Sequence, residues 1–450
     1  MDAFVRGDRS QVFENAPAGF FFPDDPGIPR AGTHSEWLKL SPRLGLAWDP
    51  FGNGRLSIRS SYGIMFDQMN TQYVDRFGFG SPWASIISIN DPRGGFANPY
   101  LDYPGGNPFP SPSPPPVDAI FPLGAQFINL PLNIRVPYQQ SWNLSVQKQL
   151  GANWLVSATY IGSKSTHRWV NKQLNPAVYI PGTCGGSPCS TTGNTQQRRV
   201  LSLIRPEDGA KVSSLVHADD GANANYNGLL LSVNHRLTSH FTLMTNYTWS
   251  HCISEQDFNS ELTGGYQNPN DRAAERSNCD ADRRQLFNSS LVVVTPRFGH
   301  PFVRRLFGNW QVSGIVRWNS GAWITPSAGI DNARNGLSNR PDVVGDVNFD
   351  ERGIERWFNT AAFQANEIGT IGNAGRNIIV GPGAFVLDSA LLRRFALTES
   401  QSIEARIEAF NVLNHTRFGD PNTNIRASTY GQIRSAADPR IMQFAVKYHF

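Results

Sequence analysis

The chain has 450 residues, a net charge of +4 and 17% charged residues, against 41 Gly, 31 Pro and 11% aromatics. That mix suits many strands joined by turns and excludes helical bundles and coiled coils, while the small charge, with no basic run, excludes nucleic-acid binding. Mean hydropathy is negative and no run of about 18 apolar residues occurs, so no membrane-spanning helix is predicted.

Met1 to Asp8 has neither a basic n-region nor an apolar h-region, so no signal peptide is read and the chain is expected to be truncated or misassigned at its start. Residues 1–36, with Pro17, Pro23, Pro26 and Pro29, read as a loop region. Residues 37–450 read as one strand-rich unit. Its first hairpin sets Leu44, Leu46 and Trp48 on one face, turns at Asp49-Pro50-Phe51-Gly52-Asn53-Gly54, and returns with Leu56, Ile58, Tyr62, Ile64 and Phe66 on one face. Arg55, Ser57, Arg59, Ser61 and Asp67 take the other face. Arginines there are costly in a dry core and cheap in a water-filled lumen.

A long connection, about 68–136, includes the proline run 108–116, which favours extended polyproline conformation. Alternation resumes with Trp142, Leu144 and Val146, a short turn at Gly151-Ala152-Asn153, and Trp154, Val156, Ala158 and Tyr160. A polar stretch of about 163–225 is expected as loop. Then come Leu229, Leu231 and Val233, a turn at Thr238-Ser239-His240, and Leu243, Tyr247 and Trp249. The rhythm repeats: a loop of about 251–284; Phe287, Leu291 and Val293; a turn near 298–308; Trp310, Val312, Val316 and Trp318. After a loop of about 320–384 come Leu387, Leu391 and Phe395, a turn at 398–400, and Ile403, Ala405, Ile407 and Ala409 opposing Glu404, Arg406 and Glu408. The last loop, about 411–438, leads to Met442, Phe444, Val446, Tyr448 and Phe450 on one face, with Gln443, Ala445, Lys447 and His449 on the other.

Short and long connections alternate throughout. A soluble sheet has no reason for this, whereas an outer-membrane barrel does, with short periplasmic turns and long extracellular loops. The predicted fold is therefore all-β: a transmembrane antiparallel barrel wall of about eleven meandering strands, placed in the bacterial outer membrane with lipid as its first partner. Trp48, Trp154, Trp249, Trp310 and Trp318 recur near strand ends, where girdles at the two lipid–water interfaces belong.

Phe450 as last residue resembles the C-terminal signal of bacterial outer-membrane barrels. Ser41 to Gly54 with Ile58-Arg59 and Tyr62-Gly63-Ile64 resembles TonB-dependent receptors of the Oar-like type. So do Tyr160-Ile161-Gly162-Ser163-Lys164, Tyr226-Asn227-Gly228-Leu229 and Tyr247-Thr248-Trp249-Ser250. Further matches are Trp357 to Phe363, Gly372 to Asn377 and Glu408 to His415. The resemblance implies a barrel of about 22 strands, an N-terminal plug, and energy passed by TonB. It departs where a TonB box, a plug and a leading β-sandwich domain would stand. The resemblance accordingly implies the C-terminal half of such a receptor, a partial barrel with its plug domain absent, and the TonB complex reached through the missing N-terminal part.

No catalytic constellation or cofactor motif occurs, so no enzyme activity and no cofactor are predicted. Lumen-facing Arg55, Arg59, Arg317, Arg406, Glu404 and Glu408 are candidate ligand-path or plug contacts, or pair within the wall. Cys184 with Cys189, and Cys252 with Cys279, sit in segments placed outside the cell, as disulfides or free thiols; their spacing does not suit zinc. His235, His240 and His251 flank one hairpin but are spread along it. Asp271, Glu275, Asp280, Asp282, Arg272, Arg276, Arg283 and Arg284 form a charged cluster in one loop that could bind a cation or ligand and is expected rather as a solvated network between loops. Asn143, Asn246, Asn288 and Asn414 stand in glycosylation-like triplets without meaning in a bacterium. Two functions compete on these grounds: uptake of a large solute (oligosaccharide, peptide or chelate) from an unknown extracellular ligand pool, or surface adhesion or assembly without transport. A secreted sugar-binding all-β protein is a third.

Overall fold

The computed structural model describes residues 1–34, 38–67, 80–83, 93–101, 107, 113–235, 241–257, 265–296 and 299–450. Eleven strands follow one another in sequence order along one sheet path. They are β1 (Arg43–Trp48), β2 (Leu56–Phe66), β3 (Tyr138–Leu150), β4 (Trp154–Gln173), β5 (Val212–His235) and β6 (Phe241–Ser254). After these come β7 (Gln285–Val294), β8 (Trp310–Asn319), β9 (Ala384–Ala396), β10 (Ser402–Phe410) and β11 (Ile441–His449). Every consecutive pair is antiparallel. The turn at 238–240 and most of the proline run lie outside the described residues. The connection near 298–308 carries a short helix, Pro301–Phe307.

Register explains the two faces. Ile58, Val146, Ala158, Leu231, Tyr247, Phe287, Trp318 and Phe385 stand opposite one another in turn, one per strand from β2 to β9. One residue away on each strand, Ser57, Gln147, Ser157, Ser232, Asn246, Asn288 and Arg317 form an unbroken polar row. A slip of one residue would exchange the rows, so the pattern fixes the pairing. The apolar row begins near the short turn on β2 and reaches the long-loop end by β8. The strands are therefore staggered, as a barrel wall requires.

The apolar face is the exposed one. Along β3, Leu144, Val146 and Leu150 are exposed while Asn143, Ser145 and Gln147 are half-buried. At the far edge Phe444 is 70% exposed, whereas Glu404 on the opposite face of β10 is 8% exposed. No water-soluble sheet buries its glutamate and presents its phenylalanines; lipid outside and a polar interior account for both. Trp310 and Trp318 bound this outward face on a single strand, eight residues apart, ~26 Å along the chain at the usual rise. With a tilt of about 40° that becomes ~20 Å, close to the ~25 Å apolar band of such barrels.

Two features differ from expectation. The stretch about 163–225 is not all loop: β4 and β5 run on as a hairpin of 20 and 24 residues, ~66 and ~79 Å long. Above the membrane neither face meets lipid, so both are polar and the sequence carries no apolar period there. A bulge near His167, whose φ is 59°, breaks the register of that extension. Likewise β6 continues to Ser254, past the expected loop start near His251.

Residues 1–34 are also structured. The helix Asp2–Arg6 and the coil after it bury Phe4, Phe13 and Phe22 against Phe121, Phe127, Leu201 and Val212. The short strand Ala125–Asn129 pairs in parallel with the start of β5 beneath them. This packing sits at the long-loop end of the wall.

Candidate functional site

The residues predicted to face the lumen do not converge: Arg55, Arg59 and Arg317 are exposed, Arg406 and Glu408 are half-buried, and Glu404 is buried. Arg55 and Arg59 stand near the first edge, and Arg59 Nε donates to Ser57 Oγ at 3.1 Å. Towards the other edge, Arg317 Nη2 donates to Asp388 Oδ2 at 2.6 Å. Arg394 reaches Glu404 at 3.1 Å, and Arg406 pairs with Glu408 at 2.8 Å. Sequence inspection missed Asp388 and Arg394, which neutralise two of these charges. Asn143, Asn246 and Asn288 belong to strands, and Asn143 donates to Ser61 Oγ across β2 and β3 at 2.6 Å. Asn414 holds the backbone N–H of Arg440 at 3.0 Å.

The strongest chemistry is at the outer end, where the long loops interlock. The charged cluster is divided: Asp271, Arg272 and Arg276 are exposed, as expected of a solvated network, whereas Glu275 and Asp282 are buried, each 3% exposed. Arg340 grips Glu275 through both terminal nitrogens, at 2.7 and 3.1 Å, and donates Nε to the carbonyl of Ala374 at 2.7 Å. Gln267 closes the group: its N–H donates to Glu275 at 2.9 Å, and its amide oxygen accepts from the Arg340 N–H at 2.6 Å. These ties join the loop after β6 to the loop after β8. A buried fork-to-carboxylate pair needs such full satisfaction, because desolvation opposes it.

A second clamp sits beside the first. Arg376 pairs with Asp257 and donates to Ser254 O and Oγ, both at 3.0 Å. Burial pushes Asp280 up, aided by the neighbouring Asp257; in Asp257 burial is outweighed by its bonds to Asp280 and Arg376, leaving it below the usual range. Asn377 donates to Asp280 at 2.6 Å and to the Asn278 carbonyl at 2.8 Å. The structure bonds Cys252 to Cys279, and Asp282 accepts from Cys252 N and Trp323 Nε1, each at 3.0 Å. Cys184 is bonded to Cys189 in a separate loop. His251 meets Asn278 at 3.0 Å, and His235 stacks on Phe241 at the turn end. His240 lies outside the described residues.

The recurring motifs turn out to build this module. Phe358, Ala362, Phe363 and Ala374 form its apolar core with Ile379, and Asn359 caps the turn 360–362 by accepting from Ala361 N at 3.2 Å. Gly372 lies against the Arg340 and Pro341 carbonyls, where no β-carbon fits. In the wall, Gly162 makes room for the Trp142 indole opposite it. Asn411, with φ 52°, and His415 close the loop after β10 through reciprocal bonds of 3.0 Å.

Elsewhere, residues 1–34 and the loops line a mainly apolar cavity of about 500 Å³, walled by Phe4, Phe20, Phe22, Trp83, Leu130 and Leu215. Its aromatic residues follow no strand or helix period, so nothing in the sequence announced it.

An inverted wall, polar inside and apolar outside, with a folded cap on the long-loop side, defines a bacterial outer-membrane β-barrel protein. More particularly, the chain belongs to the outer membrane beta barrel domain family, whose model matches residues 3–443. Among solved structures it is similar to the outer membrane transporter YddB of Escherichia coli, at 11% identity and a TM-score of 0.50, covering 91% of this chain and 40% of that one. It also matches the pyoverdine receptor FpvA of Pseudomonas aeruginosa (11% identity, 91% and 36% covered, TM-score 0.43). A third match is the FrpB iron transporter of Neisseria meningitidis (12%, 92% and 39%, TM-score 0.41). The chain thus spans at most 40% of the length of these three. No curated protein matches it.

Proposed function

We propose that the protein is the barrel part of an Oar-like, TonB-dependent outer-membrane receptor that takes up a large solute such as an oligosaccharide, peptide or chelate. The carrying observation is the outer-end module: loops that merely joined strands would not need a buried Arg340–Glu275 fork and a core of their own. A receptor needs a fixed outer surface, because ordering loops on contact lowers affinity. The likeness to YddB, a transporter by name, and the spread of Oar-like motifs support the same function. Arg59, Arg317, Arg406, Glu404 and Glu408 then line the inner wall, where a solute or a plug would pass.

The test compares cells with and without the intact protein for uptake of labelled maltooligosaccharides, oligopeptides and ferric chelates, each with TonB present or deleted. A TonB-dependent loss of one uptake is expected. Normal uptake of all three with reduced attachment to surfaces would sink the transport function in favour of adhesion.

A further inference from the structure

We propose that the cavity between residues 1–34 and the outer loops binds a small amphiphile, with an apolar body and a single anionic group. This deepens the receptor proposal, on which it rests only for a ligand arriving from outside. Its volume of about 500 Å³ is that of a small-molecule site. At ~30 Å³ per liquid water it has room for on the order of fifteen waters, and its ring-lined walls offer them few partners. Such water is displaced readily by an apolar body of matching size.

The walls are held in place before any ligand arrives. Phe22 packs edge-on against Phe13 at 5.1 Å and Trp83 at 5.5 Å. Buried Asp25 accepts from Ser10 Oγ at 2.7 Å, Gln11 N at 2.6 Å and Phe22 N at 2.7 Å, which fixes the loop carrying these rings. Arg9 then pins the segment to Asp208 at 2.7 and 3.0 Å. A preformed apolar pocket loses little conformational freedom on binding.

Arg30 supplies the polar end. It lines the cavity and has no acidic partner among the described residues, whereas Arg272, Arg340 and Arg376 of the outer loops are all paired. An exposed guanidinium at the edge of an apolar cavity suits a carboxylate, which it can bind through two parallel N–H bonds.

The experiment uses the full chain in amphipol and two probes of equal body, 2-naphthoate and neutral 2-naphthalenemethanol, followed by titration calorimetry. Both are expected to bind, naphthoate about tenfold more tightly. Arg30→Gln should remove that tenfold preference and leave the alcohol unchanged. Leu132→Trp, which fills the cavity from its lining, should weaken both probes at least tenfold, with heat-modifiable gel migration reporting a retained fold. If Leu132→Trp does not fold, the selective loss in Arg30→Gln decides. Absence of binding, or equal affinities of both probes for the unaltered protein and Arg30→Gln, overturns the proposal. Naphthoate binding together with undiminished uptake in cells lacking the protein would leave the cavity standing and remove the receptor function.

Discussion

The wall and its outer module are built from the same kinds of residue with opposite polarity. In the wall, Leu231, Trp318 and Phe444 face outward while Ser232, Arg317 and Glu404 face in. In the module, Phe358 and Phe363 are buried, and its buried charges are matched in pairs. The difference lies in the solvent each region meets. Where hydrocarbon is outside, apolar side chains need no shelter and backbone groups must be closed by the ladder. Where water is outside, burial of apolar surface again drives folding, and every buried charge needs a partner.

The sharpest way to break this contrast is Arg340→Met. It strands Glu275 without its fork and should cost the module ~3–5 kcal/mol, while the wall keeps its heat-modifiable migration. Proteolysis of residues 265–285 and 320–383 in intact cells would rise; an unchanged digestion pattern would show that the fork does not hold the loops. Replacing Cys252 and Cys279 by Ser opens a bond spanning 27 residues and should cost ~2–4 kcal/mol, again confined to the module by the same assay. In the wall, Leu231→Arg puts a charge at the middle of the lipid face and should cost ~2–4 kcal/mol, whereas Ser232→Arg, one residue on, faces the interior and should cost under ~1 kcal/mol. Equal losses in urea titrations of the two variants would mean the faces have been assigned the wrong way round.

How much could be read in advance follows from the same contrast. Alternation is a local signal, so strands such as Tyr138–Leu150 and Ile441–His449, and the eleven-strand meander, were legible wherever lipid imposes a period of two. The upper halves of β4 and β5 were not, because water on both sides removes the period. The loop module was half legible. Glu275 and Asp280 were visible as parts of a cluster, but their partners Arg340 and Asn377 lie 65 and 97 residues away and meet them only through tertiary packing. Phe4, Phe13, Phe20 and Phe22 gave no hint of a cavity, since their spacing obeys neither helix nor strand geometry.

The smallest expected effect concerns how residues 1–34 are attached to the rest. Burial pushes the Asp208 carboxyl up, but Arg9, the Ala18 N–H and Arg205 outweigh it and hold the group below its ordinary value of 3.8. A carboxyl depressed in the folded state contributes stability that is complete above that ordinary value and is lost as pH falls through the lower folded value. The docking of Phe4 to Phe22 should therefore be insensitive to pH from 7 down to about 4 and loosen only in more acid solution. Hydrogen-exchange protection factors for these residues, corrected for the intrinsic rate at each pH, measure this directly. In Asp208→Asn the charge is absent at every pH, so protection should already be reduced at pH 7 and should no longer change on acidification. If the variant and the unaltered protein lose protection in parallel below pH 4, the Arg9–Asp208 pair does not control the docking of the segment.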